Sequence, residues 1–190
     1  IDPAKSPDLA NRILEARAAV HARLRDAELA DLVEVFDAKK FTANASIAEN
    51  ILFGTPVGDH LNIETLGSIP YVRETLERIG LEQEFIEIGR EMAALMVEIF
   101  QDLPPGHEFF ERFGFFESDD LPEYQRMVNQ ASNKGLGSLN EEDQARLQDL
   151  TFKIVPARHH VDFFDDKMQA RVLEARAAFA EFLPEDLAHS

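Results

Sequence analysis

Cysteine and tryptophan are both absent from the 190 residues. Without cysteine the chain has no disulfides, no thiol nucleophile and no thiolate metal ligand, a composition that fits a reducing compartment. Long apolar runs are missing too: the longest, residues 93–97, has five residues and is too short to cross a membrane. Basic charge is scarce, with 19 Lys and Arg against 36 Asp and Glu and a formal net charge of -17. Such a surface repels phosphate backbones and anionic headgroups, so neither nucleic acid nor direct lipid binding is expected.

What remains is ordinary for a folded domain: 45% of the residues are hydrophobic and 29% charged. The charge is uneven. Residues 1–57 hold 7 basic and 9 acidic side chains, leaving 12 and 27 for residues 58–190. The opening Ile1-Asp2-Pro3, with neither Met nor a charged-then-apolar leader, points to an excised piece of a longer protein.

The dominant period is helical. Ser6-Pro7 offers an N-cap and a first-turn proline, after which Ile13, Ala16, Val20 and Leu24 step by three or four. Pro70, Val72, Leu76 and Ile79 form a shorter run closed by Gly80. From Glu82, the positions Phe85, Ile88, Met92, Leu95 and Ile99, widened by Ile86, Met96 and Phe100, predict a central core helix. Leu121, Met127, Val128 and Ala131 predict another, ending at Asn133-Lys134-Gly135. Ser138 with Glu141 has the spacing of a capping box leading into Leu147, Leu150 and Ile154. After Pro156, the series Val161, Phe164, Met168, Val172, Ala175, Phe179 and Leu183 predicts one long helix. Only residues 32–36 have strand character. The expected fold is mostly α, a multi-helix domain with at most one short strand.

One internal similarity stands out. Arg12-Ile13-Leu14-Glu15-Ala16-Arg17-Ala18-Ala19 recurs as Arg171-Val172-Leu173-Glu174-Ala175-Arg176-Ala177-Ala178, and only Ile13/Val172 differs. Leu24 aligns with Leu183. A period this long is no solenoid and points to a duplicated or inserted segment. The expected organisation is therefore 1–57, an N-terminal helix with the motif described next; 58–158, an acidic helical part; and 159–190, a long helix beginning a second copy of the 10–30 segment.

That motif is Ser46-Ile47-Ala48-Glu49-Asn50-Ile51-Leu52-Phe53-Gly54. Ser46 and Glu49 make a capping box, Gly54 a stop, and Ile47, Ile51 and Leu52 a core face, so a short capped helix explains the residue types. The segment also resembles the stretch just after the Q-loop in ATP-binding-cassette (ABC) transporter ATPase domains, Thr/Ser-Ile-x-Glu-Asn-Ile-x-Phe/Tyr-Gly. The order that follows is similar as well, with Ile79-Gly80-Leu81-Glu82-Gln83-Glu84-Phe85-Ile86 and then Leu103-Pro104-Pro105-Gly106. The resemblance covers residues 32–106 and is sharp over 46–54. It implies a helical region of a transport ATPase whose parent couples ATP binding and hydrolysis to transport at the cytoplasmic side of a membrane. By the same resemblance Ser46, Ile47, Glu49, Asn50, Phe53 and Gly54 belong to a surface facing neighbouring domains. The implied partners are the rest of the ATPase protein and the transporter's membrane domains.

Departures from the family pattern bear on catalysis. There is no Gly-x-x-x-x-Gly-Lys-Ser/Thr phosphate loop, no four apolar residues leading into Asp-Glu, and no Leu-Ser-Gly-Gly-Gln signature. The acidic Glu117-Ser118-Asp119-Asp120-Leu121 lies loosely where the signature belongs, and the Q-loop glutamine position falls near Ala38. No catalytic residue, cofactor or metal is expected in this chain, with ATP and magnesium belonging to the parent. A free-standing acidic helical adaptor is the alternative, and a carboxylate–histidine metal enzyme a third reading.

Other candidates are plainer. His159-His160 with Asp162, Asp165 and Asp166 offers nitrogen and oxygen ligands, and equally an acidic first helical turn. His107 with Glu111 is a second such pair. Gly135-Leu136-Gly137 lacks the strand and lysine of a phosphate loop and fits a turn. The dense Phe109-Phe110, Phe113 and Phe115-Phe116 cluster is either core or docking surface, with core favoured.

Overall fold

Helix starts are governed by whichever side chain satisfies the first free N–H groups. In the computed structural model, which describes residues 5–24, 37–54, 60–104, 106–108, 110, 118–159 and 164–184, the helices are these. They are α1 (Pro7–Leu24), α2 (Ile47–Leu52), α3 (Pro70–Arg78), α4 (Glu82–Phe100), α5 (Leu121–Lys134), α6 (Glu141–Lys153), α7 (Pro156–His159) and α8 (Asp166–Glu181). Short 3-10 turns cover Ile63–Ser68, Ser118–Asp120 and Leu136–Ser138. The fold is mostly α, and no strand occurs among the described residues. Residues 32–36, with their expected strand character, lie outside them. Among the described residues no helix is long and apolar enough to cross a membrane.

Two compact units are present, Ile1–Asp37 and Ala38–Ser190. The first contains α1, which buries none of its residues. The second contains every other described helix and a continuous core.

That core is built around α4, as its periodicity predicts. Phe85, Ile86, Ile88, Met92, Ala93, Met96 and Phe100 are buried. Leu95 and Ile99 depart from the expectation, since both point outward, at 42% and 40% exposed. Both lie on the Ile88 side of the buried stripe, in the C-terminal half of the helix. A Cβ at Gly89 would lie 1.8 Å from the Leu147 carbonyl oxygen, so α4 and α6 meet backbone to backbone where only glycine fits. Thr151 of α6 donates to the Phe85 carbonyl at 2.6 Å, and Phe152 meets Phe85 edge to face at 5.5 Å.

Two expected helix starts are corrected. Ser138 does not cap α6; it lies in the 3-10 turn, where its Oγ donates to the Gly135 carbonyl at 2.7 Å. The N-cap is Asn140, whose side chain accepts from the Asp143 N–H at 2.8 Å. The long C-terminal helix is shorter than predicted. Asp165 caps α8 by accepting from the Met168 N–H at 2.8 Å, and Phe164 ahead of it is buried against Phe41 at 5.3 Å. Residues 160–163 lie outside the described residues.

Candidate functional site

The motif at residues 46–54 folds as a capped helix with an arginine locked behind it. Ser46 is the N-cap: its Oγ accepts from the Glu49 N–H at 3.1 Å, while Glu49 Oε2 accepts from the Ser46 N–H at 2.8 Å. The reciprocal pair expected from the spacing is present. At the other end Phe53 takes a left-handed conformation, φ 57° and ψ 45°, which costs a non-glycine residue about 1 kcal/mol. Its N–H bonds the Glu49 carbonyl, and so does that of Gly54 at 3.0 Å.

Asn50 sits at the centre and is fully buried. Its Oδ1 accepts from the Thr42 N–H at 2.9 Å, and its Nδ2 donates to the carbonyls of Thr42 at 2.9 Å and Ser46 at 3.0 Å. The asparagine therefore does for the chain before α2 what a strand ladder would do, closing the 42–50 turn with its amide. Arg176 of α8 seals it. Nε donates to the Asn50 carbonyl at 2.5 Å, Nη2 to Asn50 Oδ1 at 3.1 Å, and Nη1 to the carbonyls of Ala38 and Lys40, both at 3.0 Å. The guanidinium is almost wholly buried, and the planar five-donor fork matches this spread of oxygens in a way lysine does not. The motif is further tied to the C-cap of α6, Ile47 N–H to the Ile154 carbonyl at 2.9 Å, and the turn before it to α7, Ala157 N–H to the Ala43 carbonyl at 3.0 Å.

The six motif residues accordingly divide. Ile47 and Asn50 are fully buried and Ser46 nearly so, all spent on internal structure. Glu49 and Gly54 are half-buried. Phe53 is 45% exposed, with its ring under the Arg176 guanidinium at 5.0 Å, so it is the large apolar group that the motif presents outward. Ile51 is in the core and Leu52 packs against it, as the capped-helix reading requires. At Ala38, near which the resemblance puts a Q-loop glutamine, what contributes to the structure is the backbone carbonyl held by Arg176.

Arg176 is the site residue that sequence reasoning does not single out, although a signal exists: it lies inside the repeat, matched by Arg17. A second missed group is Asp149 on α6. Its Oδ1 accepts from the Gly67 N–H at 2.7 Å, and burial pushes its carboxyl up to about 6, only partly opposed by that bond and by Lys153.

The remaining candidates are structural or lie elsewhere. His159 Nδ1 accepts from the Val155 N–H at 2.9 Å, which ties the last residue of α7 to the residue just ahead of the helix. His160, Asp162 and Glu111 lie outside the described residues. Among the described residues no three His, Asp or Glu side chains gather as a metal site. Gly135, at φ 82°, ends α5 and opens the following turn. Phe110 is buried against Phe100 at 4.7 Å, while Phe109, Phe113, Phe115 and Phe116 lie outside the described residues.

No family model, curated protein or solved structure matches this chain.

Proposed function

We propose that the chain is a non-catalytic helical region of an ABC transporter ATPase protein, whose parent couples ATP binding and hydrolysis to transport across a membrane. The observation that supports this reading is the division of labour within residues 46–54. The capping pair and Asn50 build a rigid platform, and the exposed Phe53 is held on it in a costly left-handed conformation. Such a platform suits a post-Q-loop segment, which presents a fixed contact where the ATPase domain meets the membrane domains. Phe53, with Glu49 and Gly54 beside it, is the contact group, and Ser46, Ile47 and Asn50 position it. ATP and magnesium bind elsewhere in the parent, on motifs that this chain lacks.

The test is calorimetry with magnesium and ATP on the 190-residue chain and on the full natural gene product. Binding by the full product alone supports the reading. Binding by neither overturns it in favour of the alternative, an acidic helical adaptor, for which the net charge of -17 is the supporting feature. Binding by the 190-residue chain overturns its non-catalytic part.

A further inference from the structure

The same eight-residue sequence, with one Ile/Val exchange, is helical in both places and is buried in only one of them. In α8 its face is the seat-filling face of the second unit. Val172 and Ala175 are fully buried, Arg176 and Phe179 nearly so, and Met168 packs against the core. Arg171 reaches the carbonyls of Ile79 at 2.8 Å and Gly80 at 3.1 Å, and Tyr71 donates to the Phe179 carbonyl at 2.5 Å. The matching positions of α1 are Leu9, Arg12, Ile13, Ala16, Arg17 and Val20. Here Leu9, Ile13 and Val20 are 43%, 44% and 55% exposed. A helix of 18 residues that buries nothing lacks the packing from which most helical stability in proteins comes.

We propose that α1 is the closing helix of another copy of the second unit, and that its exposed face docks into a second copy of the seat that α8 fills. The occupant follows from the residues. Ile13 and Val20 have the spacing of Val172 and Phe179, and Arg12 that of Arg171. Arg17 stands where Arg176 reads the oxygens of a buried asparagine and of the turn before it. A residue of capping type is kept as well, Ser6 standing where Asp165 caps α8. The seat of α8 is built from residues that precede it in the chain, so the seat of α1 is a surface of that kind, and joining residues 38–165 directly ahead of residue 7 reconstructs it. Each α1-type helix then ends one unit, and the next unit begins after it. This inference rests on the repeat and on burial, and does not depend on the transporter reading.

The absence of cysteine makes a clean test possible, because one introduced thiol is the only one present. In the 190-residue chain, Ile13→Cys reacts quickly with a thiol reagent and Val172→Cys slowly. A longer protein carries residues 38–165 fused directly ahead of residues 7–190, with Ile13→Cys. Its thiol is expected to react at least ~10-fold more slowly than in the 190-residue chain, as a packed position opens only rarely. Arg17→Ala in the same fusion restores the fast rate. A control fusion of residues 38–183, whose added copy brings its own closing helix, leaves the thiol at 13 reactive. Equal reactivity in the first fusion and in the 190-residue chain overturns the proposal. So does an added copy that gains no cooperative melt with α1 as its last helix, and so does equal protection in the control.

Discussion

Arg176 Nε donates to the backbone oxygen of Asn50 at 2.5 Å while its Nη2 reaches the same residue's Oδ1 at 3.1 Å. One guanidinium thus holds both the main chain and the side chain of a residue far away in sequence. The asparagine it grips closes the turn that starts α2, so a helix near the end of the second unit locks the helix at its beginning.

Arg176→Lys removes most of that fork and leaves buried carbonyls poorly paired, a loss of about 2–4 kcal/mol. Arg17→Lys, at the matching position of α1, is exposed in this chain and changes stability by under about 0.5 kcal/mol. Urea midpoints of the two variants, measured side by side, check the contrast.

Gly89→Ala forces a methyl group to within 1.8 Å of the Leu147 carbonyl oxygen, so α4 and α6 must separate. The expected cost is about 3 kcal/mol or more, in the range of overpacked cores. Gly137→Ala, where an added Cβ meets nothing within 4 Å, is the control and stays within about 0.5 kcal/mol. Thermal melts of both separate close approach from glycine content.

The two candidate caps of α6 are distinguished by alanine. Asn140→Ala costs about 1 kcal/mol, because the Asp143 N–H loses its acceptor. Ser138→Ala costs less than half of that, since its hydroxyl bonds only back to the preceding turn. Ser46→Ala, which breaks a complete capping box, matches the asparagine at about 1 kcal/mol. Chemical denaturation of the three variants ranks them.

Asp149 makes stability depend on pH. Its carboxyl is raised from 3.8 to about 6, so the folded state holds the proton more tightly than the unfolded chain does. That contribution is full below pH 3.8 and is lost as pH rises through about 6, leaving a buried charge at neutral pH. Asp149→Asn keeps the acceptor for the Gly67 N–H and removes the charge. The variant is expected to be more stable than the parent by about 2 kcal/mol at pH 7.5, with the difference gone by about pH 4. Urea titrations at the two pH values read this directly; a difference that is equal at both rules out Asp149 as its source.

Much of the fold is legible in the sequence because helix formation is local. The 3.6-residue period locates α3, α4 and α5, and the Ser46–Glu49 pair reads as a capping box, since hydrogen bonds within one helical turn need no distant partner. Where two local solutions compete, the pattern alone picks the wrong one. Ser138 has the capping spacing, but a 3-10 turn already engages its hydroxyl, and Asn140 takes the cap. Periodicity starts α8 too early because the pairing of Phe164 with Phe41 is a contact between distant parts of the chain.

The candidate site is half legible in the same sense. Residues 46–54 stand out, but Asn50 and Ile47 look like surface and core residues of any short helix until the turn and Arg176 close over them. The repeat draws the division most directly. Local sequence suffices to make Arg12–Ala19 and Arg171–Ala178 helical and to give each one apolar face with an arginine at its edge. That one face is buried and the other exposed comes from tertiary contacts alone. A helix satisfies its own backbone, but burying its face requires a complementary surface, and residues 38–165 supply one for α8.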